Sequence, residues 1–180
     1  MKKILKLTFI LFLVCAIVAG VLGVINELTY ERIAEQKRIK TEKAFAAVLP
    51  ADGYTELDFD NADFPIVESM HEANGGIGHV VQVKFSGAQG SITMVVGVDT
   101  EYKCTGISII SHAETSGLGA NAASSAQVGV DYRNQYIGLG EDMAITKAGG
   151  TIDALAGATI TSRAITEAAA SAISAVKSLG

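Results

Sequence analysis

The sequence predicts an α+β protein in which an N-terminal helix precedes an antiparallel sheet with helices packed on it. An uncharged apolar run extends from Leu7 to Ile25. Apolar and polar residues then alternate with a period of two between Gly53 and His112, which is typical of half-buried strands. The Ala-rich C-terminal segment repeats apolar residues at helical spacing, which indicates a helix with one face on the sheet.

Residues 1–26 are predicted to form a transmembrane anchor. The run from Leu7 to Ile25 has the length of roughly 20 residues that a helix needs to cross a bilayer. A cleaved signal peptide with small residues near Val14-Cys15-Ala16 is the alternative. The apolar run is longer than a signal core usually is, so an uncleaved anchor is the better interpretation.

Charge leaves the orientation of this anchor open. Positive residues lie on both sides of the span: Lys2, Lys3 and Lys6 before it, and Arg32, Lys37, Arg38, Lys40 and Lys43 after it. The positive-inside count favours a cytoplasmic C-terminal side. However, the lysines that precede the span are closer to it, and Glu27 and Glu31 are the nearest charges that follow.

Residues 27–49 are predicted to form a helical stalk, because they are charged and free of Gly and Pro until Pro50. Residues 50–180 are predicted to form the globular domain. Gly75-Gly76, Ser86-Gly87 and Asp99-Thr100 separate the predicted strands. After the sheet we expect a helix over 121–136 broken near Gly129, a short strand over 143–147 and a last helix over 161–177.

Several functions are excluded or disfavoured. The formal net charge of −5 gives no basic surface for nucleic acid. The chain has no Gly-rich phosphate loop after a first strand, so a Rossmann or P-loop site is not expected. Cys15 and Cys104 have no partner at metal-ligand spacing, and no metal site is predicted. No general base adjoins Thr159 in the sequence, so no catalytic residue is proposed.

The segment DALAGATITS, Asp153 to Ser162, offers three hydroxyls where the last helix is expected to begin. Free backbone N–H groups at a helix start favour an anion such as phosphate. A hydroxyl that caps the helix is the alternative, and spacing alone favours it.

Three resemblances, one in this segment and two elsewhere in the chain, point to a known family. Asp153-x-x-x-Gly157-Ala158-Thr159 resembles the flavinylation motif of FMN-binding domains in the G-subunit of the Rnf electron-transport complex and in the C-subunit of the sodium-translocating NADH:quinone reductase. Ala156 stands where family members commonly have Ser or Thr. The stretch from His112 to Gly119, HAETSGLG, resembles the family's H-x-E-T-P-G-L-G segment, with Ser116 in place of Pro. The stretch from Tyr132 to Gly138 resembles the family's Phe-Arg-x-Gln-Phe-Ile-Gly.

The resemblance implies a cofactor and its site. FMN would be bound covalently, through a phosphoester, to Thr159. Asp153, Gly157 and Ala158 complete the motif that a flavin transferase reads before it attaches the cofactor. Thr115, Gly117 and Leu118 would approach the flavin, and Thr161 and Ser162 would cap the helix.

Three roles stay open at this stage. Glu114 either hydrogen-bonds the flavin or holds its own loop. His112 is either structural or near the flavin, and Arg133 either braces a loop or binds phosphate.

The resemblance also implies a function. The protein would be a membrane-anchored electron-transfer subunit, not catalytic alone, in an Rnf-type ion-translocating ferredoxin:NAD⁺ oxidoreductase. Its FMN domain would lie outside the cytoplasmic membrane, and its partners would be the other subunits of the complex. The C-subunit of a sodium-translocating NADH:quinone reductase and a non-redox membrane-anchored binding module are the alternatives.

Overall fold

The computed structural model describes residues 2–60 and 62–179 and confirms the α+β class. Helix α1 is followed by five strands and two further helices. Their bounds are α1 Lys2–Val48, β1 Tyr54–Leu57, β2 Val67–Ala73, β3 Gly78–Ser86, β4 Ser91–Asp99, β5 Cys104–His112, α2 Gln127–Asn134 and α3 Thr159–Lys177. Short 3-10 turns cover Gly119–Ala123 and Thr146–Ala148.

The chain divides into two compact units, residues 1–40 and 41–180. The first unit contains most of α1, whose N-terminal part is long and apolar enough to cross a membrane and has its side chains exposed. Helix α1 ends at Val48, two residues before Pro50, as the sequence predicts. It is continuous through residues 27–48, so the division into anchor and stalk stays a prediction.

The five strands of the second unit form one antiparallel sheet in the order β1-β2-β3-β4-β5. Short connections at the predicted glycine and aspartate breaks join β2 to β3, β3 to β4 and β4 to β5. Because each connection is short, neighbouring strands in the chain are also neighbours in the sheet.

The sheet is covered on both faces, whereas the period-two pattern predicts strands that are buried on one face only. Val81, Val83, Met94 and Val96 share one buried cluster with Ile165, Ala169 and Ile173 of α3. Val80 and Val95, each next in the chain to one of these residues, pack with Phe45 and Val48 at the end of α1. Each strand therefore contributes alternate side chains to two different cores.

A glycine in β4 permits the close approach of α1. A Cβ on Gly97 would lie 2.8 Å from the carbonyl oxygen of Val48. The same carbonyl accepts a hydrogen bond of 2.5 Å from the hydroxyl of Thr105 in β5. This contact satisfies a carbonyl at the helix end that has no partner within the helix.

Two of the predicted elements are wrong in detail. The chain between 119 and 136 is interrupted at residues 124–126 and not at Gly129, which is buried inside α2. A Cβ on Gly129 would lie 2.4 Å from the carbonyl oxygen of Ser124, so this glycine permits close packing and does not break the helix. Residues 143–147 form no strand. Ile145 makes only an isolated parallel bridge with Ile152, and a 3-10 turn follows.

His71 should make the stability of the second unit depend on pH. Its ring packs 4.8 Å from that of Phe45, and its buried Nδ1 has no hydrogen-bond partner. Burial lowers the pKa of His71 below its ordinary value, and nearby Glu56 opposes this shift. The unfolded chain therefore binds the proton more readily. Stability is fullest above about pH 6.5 and falls as the pH drops from there to the folded-state pKa.

His71→Phe keeps the ring contact but removes the titrating group. Thermal unfolding of the full chain in detergent should show a smaller loss of melting temperature on acidification for this variant than for the wild type. His79→Gln, on the neighbouring strand, is the control and should retain the wild-type pH dependence. An unchanged pH dependence in His71→Phe would contradict the role given to His71.

Candidate functional site

The two motif segments singled out in the sequence line one cavity of about 340 Å³. One wall comes from the loop after β5, with Glu114, Thr115 and Leu118. The opposite wall comes from the start of α3 and the residues before it, with Gly157 and Thr159. The remaining lining residues are Ala88, Gln89, Gly119, Ala158, Ile160 and Thr161. Segments far apart in the chain therefore build a single site.

Glu114 joins these two walls. Its carboxylate Oε2 accepts a hydrogen bond of 2.6 Å from the hydroxyl of Thr161, and Oε1 accepts one of 3.0 Å from the backbone N–H of Gln89. Glu114 is only 9% exposed and Thr161 only 1%. A Cβ on Gly119 would lie 2.4 Å from Oε2, so this position must be glycine for the pair to form. The sequence left open whether Glu114 hydrogen-bonds the flavin or holds its own loop. The contacts in the structure are those of a residue that holds its loop.

Helix α3 begins at Thr159, so the hydroxyl of the predicted acceptor belongs to the first helical residue. Thr159 is half-buried, and its Oγ1 accepts a hydrogen bond of 3.4 Å from Nζ of Lys147. Among the described residues, the backbone N–H groups of 159, 160 and 161 have no acceptor, whereas that of Ser162 bonds to Ala158. The first turn of α3 thus offers three free backbone donors, and a cation lies at the Thr159 hydroxyl. This combination favours an anion.

The prediction that Thr161 and Ser162 cap α3 is wrong. The residue before the helix is Ala158, and no side chain caps it. Thr161 donates to Glu114 instead, and Oγ of Ser162 accepts a 3.0 Å hydrogen bond from the N–H of Leu155. Both hydroxyls are buried and hold neighbouring segments to the helix, and Ala158 offers no side-chain acceptor to the first N–H groups of α3.

Gly157 shapes the wall of the cavity just before Thr159. Its φ of +71° is a left-handed conformation that other residues adopt at a cost. A Cβ there would lie 2.9 Å from Cδ2 of Leu118 on the opposite wall. The glycine therefore both makes the turn and leaves room between the two walls.

Buried hydroxyls fix α2 against α3 behind this wall. The hydroxyl groups of Tyr132 and Tyr136 lie 2.6 Å apart, and that of Tyr136 lies 3.0 Å from Oγ1 of Thr166. Thr166 donates in turn to the carbonyl of Ser162 at 2.9 Å. Burial raises the pKa of both tyrosines, which keeps them neutral hydrogen-bonding groups.

Asp153 lies away from the cavity that holds Thr159. It lines a second cavity with Gln127 and Asp131 of α2 and with Gln135, which follows that helix. The side chain of Gln135 holds the backbone of Asp153 on both sides: its Oε1 accepts from the N–H at 2.7 Å, and its Nε2 donates to the carbonyl at 3.3 Å. The carboxylate of Asp153 is exposed and has no hydrogen-bond partner among the described residues.

The other predicted residues lie beside the cavity. The carbonyl of Gly117 accepts from the side chain of Asn121 and orders the loop, although Gly117 does not line the cavity. Nδ1 of His112 accepts the N–H of Glu114 at 3.3 Å. Arg133 donates to the carbonyls of Ala122 and Ser124 at 2.6 and 2.9 Å, which are the contacts of a loop brace.

Sequence reasoning missed Lys147, Gln89 and Ile160. Lys147 belongs to the segment that was predicted to be a strand, and only the turn observed there brings it to Thr159. Gln89 contributes a backbone N–H, which no side-chain pattern reveals. Ile160 is 69% exposed although apolar, and its place next to Thr159 in the motif is the one signal that marks it.

Comparisons with known proteins identify the kind of domain that bears this cavity. The model of the FMN-binding domain family matches residues 87–174, which include both walls. The model of the RnfG N-terminal region matches residues 1–48. The chain is thus an FMN-binding domain preceded by an N-terminal helical region of this type.

Curated relatives extend over nearly the whole chain. The G-subunit of the ion-translocating oxidoreductase complex of Methanosarcina acetivorans is 28% identical, over 96% of this chain and 94% of the relative. The protein of the same name from Stutzerimonas stutzeri is 30% identical, over 85% and 72%. The G-subunit of the proton-translocating ferredoxin:NAD(+) oxidoreductase complex of Clostridium ljungdahlii is 29% identical, over 97% and 92%. The chain belongs to the family of G-subunits of ion-translocating oxidoreductase complexes.

One solved structure is more distant. The crystal structure of the C-subunit of the Na⁺-translocating NADH-quinone reductase from Parabacteroides distasonis matches with a TM-score of 0.47 and 23% identity, over 61% of this chain and 59% of that chain. The family assignment depends on the sequence matches and not on this likeness.

The residues of the cavity fit an FMN group. Its volume of about 340 Å³ lies within the range of roughly 300–1,000 Å³ found for small-molecule sites. Leu118, 42% exposed, and Ile160 supply apolar surface at the cavity. The free N–H groups of α3 and the Lys147 ammonium suit a phosphate. Thr159 and Lys147 would hold the phosphate end, and Leu118 and Ile160 would contact the ring system.

Removal of the Glu114 carboxylate should loosen the joint between the two walls. Glu114→Ala leaves the buried Thr161 hydroxyl and the Gln89 N–H without acceptors, at an expected cost of about 2–3 kcal/mol. Glu114→Gln keeps one carbonyl oxygen and should cost less. Urea unfolding of the full chain in detergent measures this. Glu68→Ala, at an exposed site, is the control and should change stability by less than about 0.5 kcal/mol. Equal effects of Glu114→Ala and Glu68→Ala would contradict the bracing role.

The Gly157 turn can be tested with a matched glycine. Gly157→Ala and Gly138→Ala each place an L-residue at a positive φ, so each should cost about 1–2 kcal/mol in unfolding experiments. A Cβ on Gly138 meets nothing within 4 Å, whereas one on Gly157 meets Leu118. Only Gly157→Ala should therefore lower the amount of flavin that copurifies with the chain. An equal loss of flavin in both variants would contradict a specific role for Gly157 in the cavity.

Proposed function

We propose that this protein carries FMN bound covalently to Thr159 and relays electrons as a membrane-anchored subunit of an Rnf-type ion-translocating ferredoxin:NAD⁺ oxidoreductase. The names of the G-subunit relatives support the complex, and the match to the FMN-binding domain family supports the cofactor. The observation that carries the proposal is the shared cavity, which places the Thr159 hydroxyl opposite Thr115 and Leu118.

The cofactor supplies the redox chemistry when it is bound, and the protein supplies attachment and environment. Thr159 provides a hydroxyl at a helix start whose three free N–H groups stabilise a phosphodiester. Glu114 keeps the two walls of the cavity together. Leu118 and Ile160 exclude water from one side of the ring system.

A covalent tether suits a site of this shape. Leu118, Ile160 and Gly157 are exposed, so the cavity is open to solvent on one side. A cofactor in so open a site would be lost if it depended on affinity alone, whereas an electron relay needs its cofactor close to the surface. A phosphoester bond to Thr159 would keep the cofactor on the protein while leaving it close to the surface. The protein would not be catalytic alone, because donor and acceptor belong to partner chains.

The remaining parts of the proposal concern the membrane and maturation. Residues 1–26 form the single transmembrane anchor, residues 27–49 the stalk and residues 50–180 the FMN domain, which lies outside the cytoplasmic membrane. The length and apolar character of the N-terminal part of α1 support the anchor. A flavin transferase recognises Asp153, Gly157 and Ala158 and attaches FMN to Thr159.

Loss of the Thr159 hydroxyl should abolish covalent flavin without unfolding the domain. Thr159→Val is nearly isosteric and removes only the nucleophile, whereas Thr159→Ser keeps a hydroxyl and should still accept FMN. Each full chain is coexpressed with a flavin transferase and run on a denaturing gel viewed under ultraviolet light. A fluorescent band that persists in Thr159→Val would exclude Thr159 as the attachment point. A wild-type chain without flavin would favour a non-redox binding module.

A further inference from the structure

Lys147 is the only described side chain that donates a hydrogen bond to the Thr159 hydroxyl. Its Nζ lies 3.4 Å from Oγ1 of the residue at which α3 begins, and the first three N–H groups of that helix are free. A lysine ammonium has three donors and no acceptor, so one can hold Oγ1 while the others remain available to an incoming anion.

The turn that carries Lys147 is held firmly. Ile145 and Ile152, on either side of it, are 1% and 0% exposed. The N–H of Thr146 donates to the carbonyl of Ile152 at 2.9 Å, and the N–H of Gly150 donates to the carbonyl of Ile145 at 3.1 Å. The backbone around Lys147 is therefore fixed to the core, while its side chain is exposed at Thr159.

We propose that Lys147 is a positioning residue for the attachment of FMN, an inference that rests on the proposed function. It orients the Thr159 hydroxyl before the reaction and pairs with the phosphodiester afterwards. Oγ1 of Thr159 forms a bond to the phosphorus of the FMN half of FAD. The bond from that phosphorus to the AMP oxygen breaks, AMP leaves with the electron pair, and the hydroxyl proton passes to a base of the transferase or to solvent.

Charge explains why a lysine is useful here. The pyrophosphate of FAD is anionic, and the product phosphodiester keeps one negative charge at Thr159. An ammonium and three backbone donors at this point stabilise both, and the charge matters more as water is excluded by the docked transferase. The free N–H groups at the helix start supply partial positive charge, and the Lys147 ammonium supplies a full positive charge.

The test compares rates of attachment to full chains purified without flavin and incubated with purified flavin transferase and FAD. Intact mass follows the gain of one FMN less one water. Lys147→Gln should lower the rate at saturating FAD at least about tenfold. The FAD concentration for half-maximal rate should not change, because FAD binds to the transferase. Lys147→Arg should restore most of the rate, since it keeps the charge.

Arg163→Gln is the charge-matched control. Arg163 is exposed one helical turn beyond Thr159, and its replacement makes the same change in net charge. The variant should keep a rate within about threefold of the wild type. Thermal unfolding of each chain checks that the fold is intact.

The outcomes separate the proposed function from the role of Lys147. A wild-type chain that gains no FMN overturns the proposed function. A wild-type chain that gains FMN while Lys147→Gln reacts equally fast overturns the role of Lys147. Equal losses in Lys147→Gln and Arg163→Gln, or no rescue by Lys147→Arg, also overturn it.

Discussion

The hydrogen bond between Glu114 and Thr161 is the interaction on which the geometry of the site depends. One partner belongs to the loop after the last strand and the other to the first turn of α3. Both are buried, so the cost of leaving either unpaired is high. The residue before the helix is Ala158, which has no side-chain oxygen to cap it. The first N–H groups of α3 are therefore left free beside Thr159.

The sheet holds the two segments that this hydrogen bond connects. Strand β5 ends at His112, two residues before Glu114, and α3 packs on the strands through Ile165, Ala169 and Ile173. The site therefore lies where the edge of a rigid sheet meets the start of a packed helix. Its loops are held by side chains such as Arg133 and Gln135. Because this frame is already ordered, the binding groups need no further ordering when a ligand binds.

The sequence predicted the larger features of this architecture because periodicity reports burial directly. Strands β3 and β4 follow from their period-two pattern, and α3 follows from its apolar spacing. The motifs identified the two walls of the cavity. The break in the helix after residue 119 was placed wrongly because Gly129 was interpreted as a breaker, when it is a point of close packing. The strand predicted over 143–147 became a turn because Ile145 and Ile152 are buried as a pair and not in the sheet.

The hydroxyl-rich motif shows a second limit of such reasoning. Thr159, Thr161 and Ser162 are close in sequence, but a helix directs them to three different partners: Lys147, Glu114 and the N–H of Leu155. Only the three-dimensional arrangement separates the hydroxyl that we propose as the FMN acceptor from the two that hold neighbouring segments. Lys147 could not be assigned beforehand for the same reason, since its position depends on the turn between two buried isoleucines.

The double contact of Gln135 with the backbone of Asp153 has a consequence for recognition. The contact fixes the peptide on both sides of the residue and leaves the carboxylate exposed. A protein that binds this carboxylate meets a loop whose conformational entropy is already lost, so the ordering cost falls on folding and not on binding. A short peptide with the same sequence would instead lose that conformational entropy when it binds. The recognition signal that we propose at Asp153 would thus be a property of the folded domain and not of the linear motif.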